Sequence, residues 1–497
     1  MTPSAGVLAE VDALFAARVA DRVAPSSVWG VFDRDGLVAT GGHGDRGDGR
    51  APDADTVYRI ASCTKSVTAA TLLTLVAEGR VALDDPITTA VPAFAEVVLP
   101  SADAPVPTLR MLLTMSGGLP TDDPWADRQE SIADDTFDAV LRSGLLFDSV
   151  PGTRFAYSNT GYALLGRAVA HAAGVPYTEA VTGRVLRPLG LTDTVFSAAE
   201  ARGYLVTGQR DDDGSWTPQP MTGPGAFSPI GGLFSTVRDL ARWARFLASA
   251  SSAAPEAGPV SPADRRAMQQ AMRIVPRSVV PTAGRPTAYG FGLFVEQDDR
   301  AGEIVSHSGG YPGFSAHVRW SAEHGLGVVA FENATQAKVS APTEQALDLL
   351  LADALGDRTT GAAGATSASA AATAPGVRRT VEATRAARQA VTTLLRAWAD
   401  PSVDDDTAAD LGAAVCTPNV PLDRPWVTRR RTLLEGAQAV GADLAAAPVD
   451  EQSAAPSHLR WWLPGSAGRL RVEIRLAPLA AGRVQTLTVT PERAEQG

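Results

Sequence analysis

Only two lysines occur in this chain, Lys65 and Lys338, against 42 arginines. Arginine keeps its proton in a protein whereas a buried lysine can lose it, so a lysine that survives such an arginine bias is a candidate for acid–base chemistry. Lys338, in FENATQAKVS, reads as a solvated side chain. Lys65 lies three residues after Ser62 in SCTKSVTAATLLTLVAEG, a stretch patterned as helix, and side chains three apart share a helix face within hydrogen-bonding reach. A hydroxyl is a weak nucleophile until a base takes its proton, and a desolvated lysine is such a base. The pair points to a serine that forms an acyl-enzyme. By chance a Ser-x-x-Lys would fall on one of two lysines in roughly one chain in eight at ordinary serine usage, so neighbouring motifs have to carry the rest. Ser66 is the weaker nucleophile, with Ala69 three residues on, and Cys63 reads as small packing on another face.

A second element is PGTRFAYSNTGYALLGRAVAHAAG, in which Tyr157-Ser158-Asn159 directly precedes a helix. Tyr157 could relay a proton with Lys65, and the Asn159 amide could orient a substrate carbonyl. Taken alone, the two read rather as a core aromatic and a helix cap. The third element, HSGGYPGF, puts His307-Ser308-Gly309-Gly310 at the end of a predicted strand, where two glycines permit close approach to the backbone. An N–H there, with that of Ser62, would form an oxyanion hole. The bland alternative is a β-bulge beside a surface histidine.

These elements need a scaffold, and the pattern supplies one. Residues 5–22 form an amphipathic helix, Asp35-Gly36 turns a hairpin, and YGFGLFVE, GEIVSHSGG, SAHVRWS and LGVVAFEN read as strands. The hairpin and these strands predict one antiparallel sheet built from both ends of the domain. The helix TEQALDLLLADAL packs beside the first helix. Between about 85 and 200 helical signals dominate, predicting a helical subdomain. Residues 357–376 (DRTTGAAGATSASAAATAPG) lack large apolar side chains and read as a linker. Beyond it a long helix and GRLRVEIRLAP, HLRWWL and RVQTLTVT predict a small α+β unit. The expected partition is 1–356, 357–376 and 377–497, with a cut in the linker releasing a folded N-terminal fragment.

Composition bounds the function. With 44 Lys+Arg against 55 Asp+Glu the net charge is −11, which disfavours nucleic acid as a partner. No run of 18 apolar residues and no uninterrupted apolar signal stretch is present, so neither membrane nor export is expected. Cys63 and Cys416 are distant and fit a reducing cytoplasm. Six scattered histidines show no metal spacing, so no metal or other cofactor is expected. Oligomeric state is open.

In order, Ser-x-x-Lys, Tyr-x-Asn 157 − 65 = 92 residues later and His-Ser-Gly on a late strand resemble the serine β-lactamase-like superfamily. TLRMLLTMSGGLP, RPLGLTDTVF, GGLFSTVRDLARWARFL, YGFGLFVE and HSGGYPGFSAHVRWSAEHGLGVVAFENA fit its pattern in sequence, over about residues 5–355. The resemblance implies an α+β fold, an antiparallel sheet flanked by helices plus a helical subdomain, and a Ser62 acyl-enzyme. It implies that Lys65 and Tyr157 share acid–base work, that the Ser62 and Gly310 N–H groups hold the oxyanion, and that Asn159 and His307, with Ser308 and Gly309 beside them, line the substrate site. Tyr-x-Asn resembles class C β-lactamases, related carboxylesterases, D-aminopeptidases and D,D-peptidases. Penicillin-recognising members carry Lys-Thr-Gly where this chain has His307-Ser308-Gly309, the form of esterases and D-amino-acid peptidases. The reading is a serine hydrolase of a small ester or amide, first a carboxylesterase. Its alternatives are a D-amino-acid peptidase or weak β-lactamase, or, in another class, an inactive binding protein on the same fold.

Overall fold

The computed structural model describes residues 3–276, 285–356 and 381–494, so the linker at 357–376 lies outside the described residues. The chain opens with the helix Ala5–Ala20, capped by the Ser4 hydroxyl. Strands β1 (Ser26–Phe32) and β2 (Leu37–Gly44) form the hairpin turned at Asp35-Gly36. A short β3 (Tyr58–Arg59) precedes the helix Thr64–Ala77. After the helical region come the hairpin β4 (Gln209–Asp212) and β5 (Ser215–Pro218), then β6 (Phe234–Ser235) and the helix Val237–Ala248. The remaining strands of this part are β7 (Arg273–Ile274), β8 (Thr287–Tyr289), β9 (Phe294–Asp298), β10 (Gly302–Tyr311), β11 (Phe314–Ser321) and β12 (Gly327–Glu332), closed by the helix Ser340–Ala354.

The large sheet runs β2-β1-β12-β11-β10-β9-β8-β7, and its pairs are antiparallel. Both ends of the domain meet where β1 pairs with β12, as the sequence pattern requires. β1, β11 and β12 are buried on both faces because helices cover the sheet twice. Val7, Val11 and Phe15 of the first helix and Leu347 and Leu350 of the last pack on Trp29, Val31 and Val328 from one side. Val237, Leu240, Ala241 and Ala244 pack with Val28, Val318 and Val329 on the other. Outside this sheet, β3 pairs with β6. YGFGLFVE splits into two strands around Gly292 (φ 74°), where a Cβ would lie 2.6 Å from the carbonyl oxygen of Lys65.

The 85–200 region carries helices and turns but no strand, among them Asp134–Arg142 and Asn159–Ala173, the latter ended by Gly174 in the left-handed conformation. At the C-terminus the helices Glu382–Ala399, Asp405–Val415 and Trp426–Val440 pack on a separate sheet β13-β14-β15-β16 (Asp450–Gln452, His458–Gly465, Gly468–Leu476, Val484–Arg493). In GRLRVEIRLAP apolar residues alternate with charged ones, and the apolar set, Leu470, Val472, Ile474 and Leu476, fills the core of this unit.

The two parts are not independent. Ala477 and Leu479 belong to the core of the first part, while Leu146 packs into the second. The Leu146 amide donates to the Pro478 carbonyl (2.8 Å), and the Ser457 amide and hydroxyl both donate to Asp148 (2.8 Å each). Release of a free N-terminal fragment therefore does not follow from cutting between them. We expect the two pieces left by proteolysis after residue 356 to elute together in native gel filtration and to separate only in denaturant; separate native peaks would contradict the shared core.

Candidate active site

Ser62 lies in a 3-10 turn, Ala61–Cys63, that runs into the helix Thr64–Ala77, so the α-helix expected from Ser62 onward starts at Thr64. Ala61 is held at φ 45°, a region that disfavours any side chain and costs ~1–3 kcal/mol. The turn is fixed from several sides: the Ile60 amide donates to Leu233 (3.0 Å), and the Cys63 thiol to the His307 carbonyl (3.3 Å). Burial pushes that thiol up to about 12, which suits packing and not reactivity.

The Lys65 ammonium has no exposed surface. Its Nζ donates to Ser62 Oγ (2.9 Å) and to the Ile230 carbonyl (2.7 Å), and sits 5.0 Å from the centre of the Tyr157 ring. Burial lowers its pKa to about 8, while Asp123, Asp127 and Asp122 oppose that shift from further away. Lys65 can therefore exchange a proton near neutral pH. The Tyr157 phenol is raised well above 10, first by burial and then by Asp123, with its hydrogen bond to Ser62 pulling the other way. It holds its proton and can donate it.

The helix Asn159–Ala173 is capped by Ser158, whose Oγ accepts from the Gly161 amide (3.2 Å), so Asn159 is free of that duty. Asp122 accepts from the amides of Asn159 (2.7 Å) and Thr160 (2.9 Å) and from the Thr160 hydroxyl (2.5 Å). Asn159 donates Nδ2 to Asp123 Oδ1 (2.6 Å), and its buried Oδ1 has no partner among the described residues. The side chain thus keeps an acceptor, Oδ1, and the second hydrogen of Nδ2 for a substrate.

His307 is buried, not a surface residue. Its Nδ1 pairs with the Ser308 carbonyl (2.6 Å), an acceptor only, so Nδ1 carries the hydrogen and Nε2 accepts from the Tyr289 hydroxyl (3.1 Å). Burial and then Lys65 push its pKa down to about 3, so the positive charge is missing altogether at neutral pH. The β10–β11 register runs unbroken from Ile304 to Tyr311, which excludes a bulge at the glycines. β9 stops opposite Ser306, leaving residues 307–311 paired on one side only. A Cβ on Gly309 would sit 2.2 Å from the Ile60 carbonyl oxygen, so this glycine admits the chain's own backbone and not a ligand; a Cβ on Gly310 meets nothing within 4 Å. Ser308 is exposed, its Oγ 2.8 Å from His317 Nδ1.

The structure thus brings Ser62, Lys65, Tyr157 and His307 together, with Asn159 joined to them through Asp123 and Ser308–Gly310 next along β10. The sequence reading missed Asp122, Asp123 and Asp127, in TDDPWADRQE, and Tyr289 and Phe294, which wall His307 and Tyr157. Paired aspartates before a proline read as a turn, and nothing in their spacing says that they reach residue 159. Among the described residues no three His, Cys, Asp or Glu side chains are arranged to hold a metal ion, and no helix is long and apolar enough to cross a membrane.

A helix-flanked antiparallel sheet with a buried lysine bonded to a serine at the sheet–helix junction has the architecture of a serine hydrolase. The family model described as Beta-lactamase matches residues 11–353, and the chain belongs to that family. It is 31% identical over 209 residues, 40% of this chain and 50% of the relative, to D-alanyl-D-alanine-carboxypeptidase/endopeptidase AmpH of Escherichia coli (strain K12); the chain thus spans half of that relative's length. Among solved structures, the octameric penicillin-binding protein homologue from Pyrococcus abyssi is similar over 98% of both chains (TM-score 0.60, 20% identity), so the likeness in fold continues through the C-terminal unit. A D-stereospecific amidohydrolase from Streptomyces sp. is similar over 68% of this chain and 98% of its own (TM-score 0.56, 26% identity).

The amine of Lys65 is free above its pKa, so acylation by a fluorophosphonate, followed by intact mass, should rise with pH and level off beyond a midpoint near 8. The adduct should map to Ser62; mapping to Cys63 or Ser66 contradicts the geometry. Lys65→Arg keeps the charge but cannot accept the proton, and should slow acylation by roughly a thousandfold.

Proposed function

We propose that this protein hydrolyses a small ester or amide through an acyl-enzyme on Ser62, and acts first as a carboxylesterase. The observation that carries this reading is the hydrogen bond from a fully buried Lys65 to the Ser62 hydroxyl. As Ser62 Oγ attacks the carbonyl carbon, Lys65 takes its proton, and the oxyanion is held by the Ser62 and Gly310 N–H groups. Tyr157, still protonated, gives its proton to the departing alcohol or amine and regains one from Lys65. Water then repeats the cycle on the acyl group, with Lys65 as its base. His307 acts by holding Tyr289 against the cleft, and Ser308 lies at its open edge. Two buried free thiols, Cys63 and Cys416, suit a reducing cytoplasm.

Charge argues against β-lactam turnover. Neutral His307 offers nothing to a substrate carboxylate, and the acidic side chains acting on Lys65 include Asp122, Asp123 and Asp127, whose carboxyls disfavour a second anion. The same carboxyls and the unpartnered Asn159 Oδ1 support a second reading, a D-aminoacyl amide or ester whose amine they would accept, in keeping with the D-stereospecific relative. A panel of p-nitrophenyl esters, D-aminoacyl anilides and nitrocefin separates the readings. We expect ester kcat/KM to exceed that of nitrocefin by at least about a hundredfold, ~2.7 kcal/mol of transition-state binding. Comparable constants would favour a β-lactamase, and labelling without turnover of any of them an inactive binding protein.

A further inference from the structure

The segment 121–127 reaches the reacting groups through its carboxyls, yet its own main chain is held from the C-terminal unit. Gln485, near the start of β16 and 1% exposed, donates Nε2 to the Thr121 carbonyl (2.9 Å) and to the Leu476 carbonyl (2.7 Å), and its Oε1 accepts from the Trp125 amide (3.2 Å). The contacts at 121 and 125 bracket Asp122 and Asp123. These are the two carboxylates that hold the Asn159 and Thr160 amides and the Asn159 side chain. Gln485 is itself anchored within its own unit, where its carbonyl accepts from Asn419 Nδ2 (3.0 Å). Only an amide side chain can both donate twice and accept here; a carboxylate keeps the acceptor alone, and a thioether keeps no donor.

We propose that Gln485 is a positioning residue of the hydrolase site, holding the Thr121–Trp125 segment so that Asp122 and Asp123 keep Asn159 and Lys65 in place. The C-terminal unit is then a working part of the site and not an appendage. This rests on the reading of Ser62 and Lys65 as the reacting pair. The groups facing Lys65 are Asp122, Asp123, Asp127, Tyr157, Tyr162, Cys63 and His307. Of these, Asp123 is the one bracketed by Gln485 that most strongly raises the Lys65 pKa. Letting it drift away lowers that pKa, so the pH at which the amine becomes free moves down.

The test uses the full chain and the fluorophosphonate acylation rate as a function of pH, with ester kcat and KM alongside. Gln485→Met should lower kcat by about tenfold with KM little changed, and shift the acylation midpoint to lower pH by about half a unit. Asp123→Asn should shift it in the same direction, and adding Gln485→Met to that background should cost much less than it does alone. Ser457→Ala, which breaks a contact elsewhere between the two units, should leave the midpoint where it is. If Gln485→Met does not fold, Gln485→Ala, which removes all three bonds and adds no charge, carries the same expectations. An unmoved midpoint and rate in the Gln485 variant, an equal shift in Ser457→Ala, or additive losses with Asp123→Asn would overturn the proposal while leaving Ser62 chemistry intact. An adduct that maps away from Ser62 in the unmodified chain would instead overturn the reading beneath it.

Discussion

A lysine ammonium taken wholly out of water loses its hydration, and the surroundings of Lys65 are arranged around that cost. Its direct partners are neutral, a serine hydroxyl and the Ile230 carbonyl, while the carboxyls of Asp122, Asp123 and Asp127 act from further away. Contact with a carboxylate would lock the proton on; no counter-charge at all would expel it. The intermediate arrangement leaves the group titrating near 8. Arg59, also buried, shows the other solution: it contacts Glu130 directly, donates to the Gly231 carbonyl (3.1 Å) and lies 3.7 Å from the centre of the Tyr311 ring. A cation that never gives up its proton can be paired this way and serve as structure.

Holding Ser62 against that amine requires backbones to approach more closely than side chains allow. Gly309 of β10 lies on the Ile60 carbonyl, Gly292 on that of Lys65, and Gly231 has room for a Cβ only 3.3 Å from the Ala61 carbonyl carbon. The strand edge, the β8–β9 turn and the loop after Ile230 thus close on residues 60–65 from three directions. This confinement holds Ala61 in its left-handed conformation and keeps the hydroxyl and the amine at 2.9 Å. It also dries the site, which is why Tyr157 stays protonated and His307 stays neutral.

The C-terminal unit is tied to the first part by its own set of contacts. Its residues enter the first core, bond to the 144–148 loop and grip the segment that carries Asp122 and Asp123.

What the sequence by itself determined is what depends on neighbours along the chain. Alternation and helical periodicity specified the large antiparallel sheet, the helices on it and the inward face of Leu470, Val472, Ile474 and Leu476, because those patterns reflect which side of an element meets water. The scarcity of lysine singled out Lys65, since a composition bias makes each exception informative. The spacing alone also placed Ser62 within reach of it. What only the tertiary structure decided is what depends on burial and on distant partners. His307 reads as a surface imidazole until its enclosure by Tyr289, Phe294 and Lys65 is known; Asn159 reads as a cap until Ser158 takes that role and Asp123 engages its amide. Asp122 and Asp123 are 37 and 36 residues from Asn159, and Gln485 lies 364 from Thr121. No local pattern encodes such pairings, because the desolvation and hydrogen bonds that give these groups their chemistry exist only once the chain has folded.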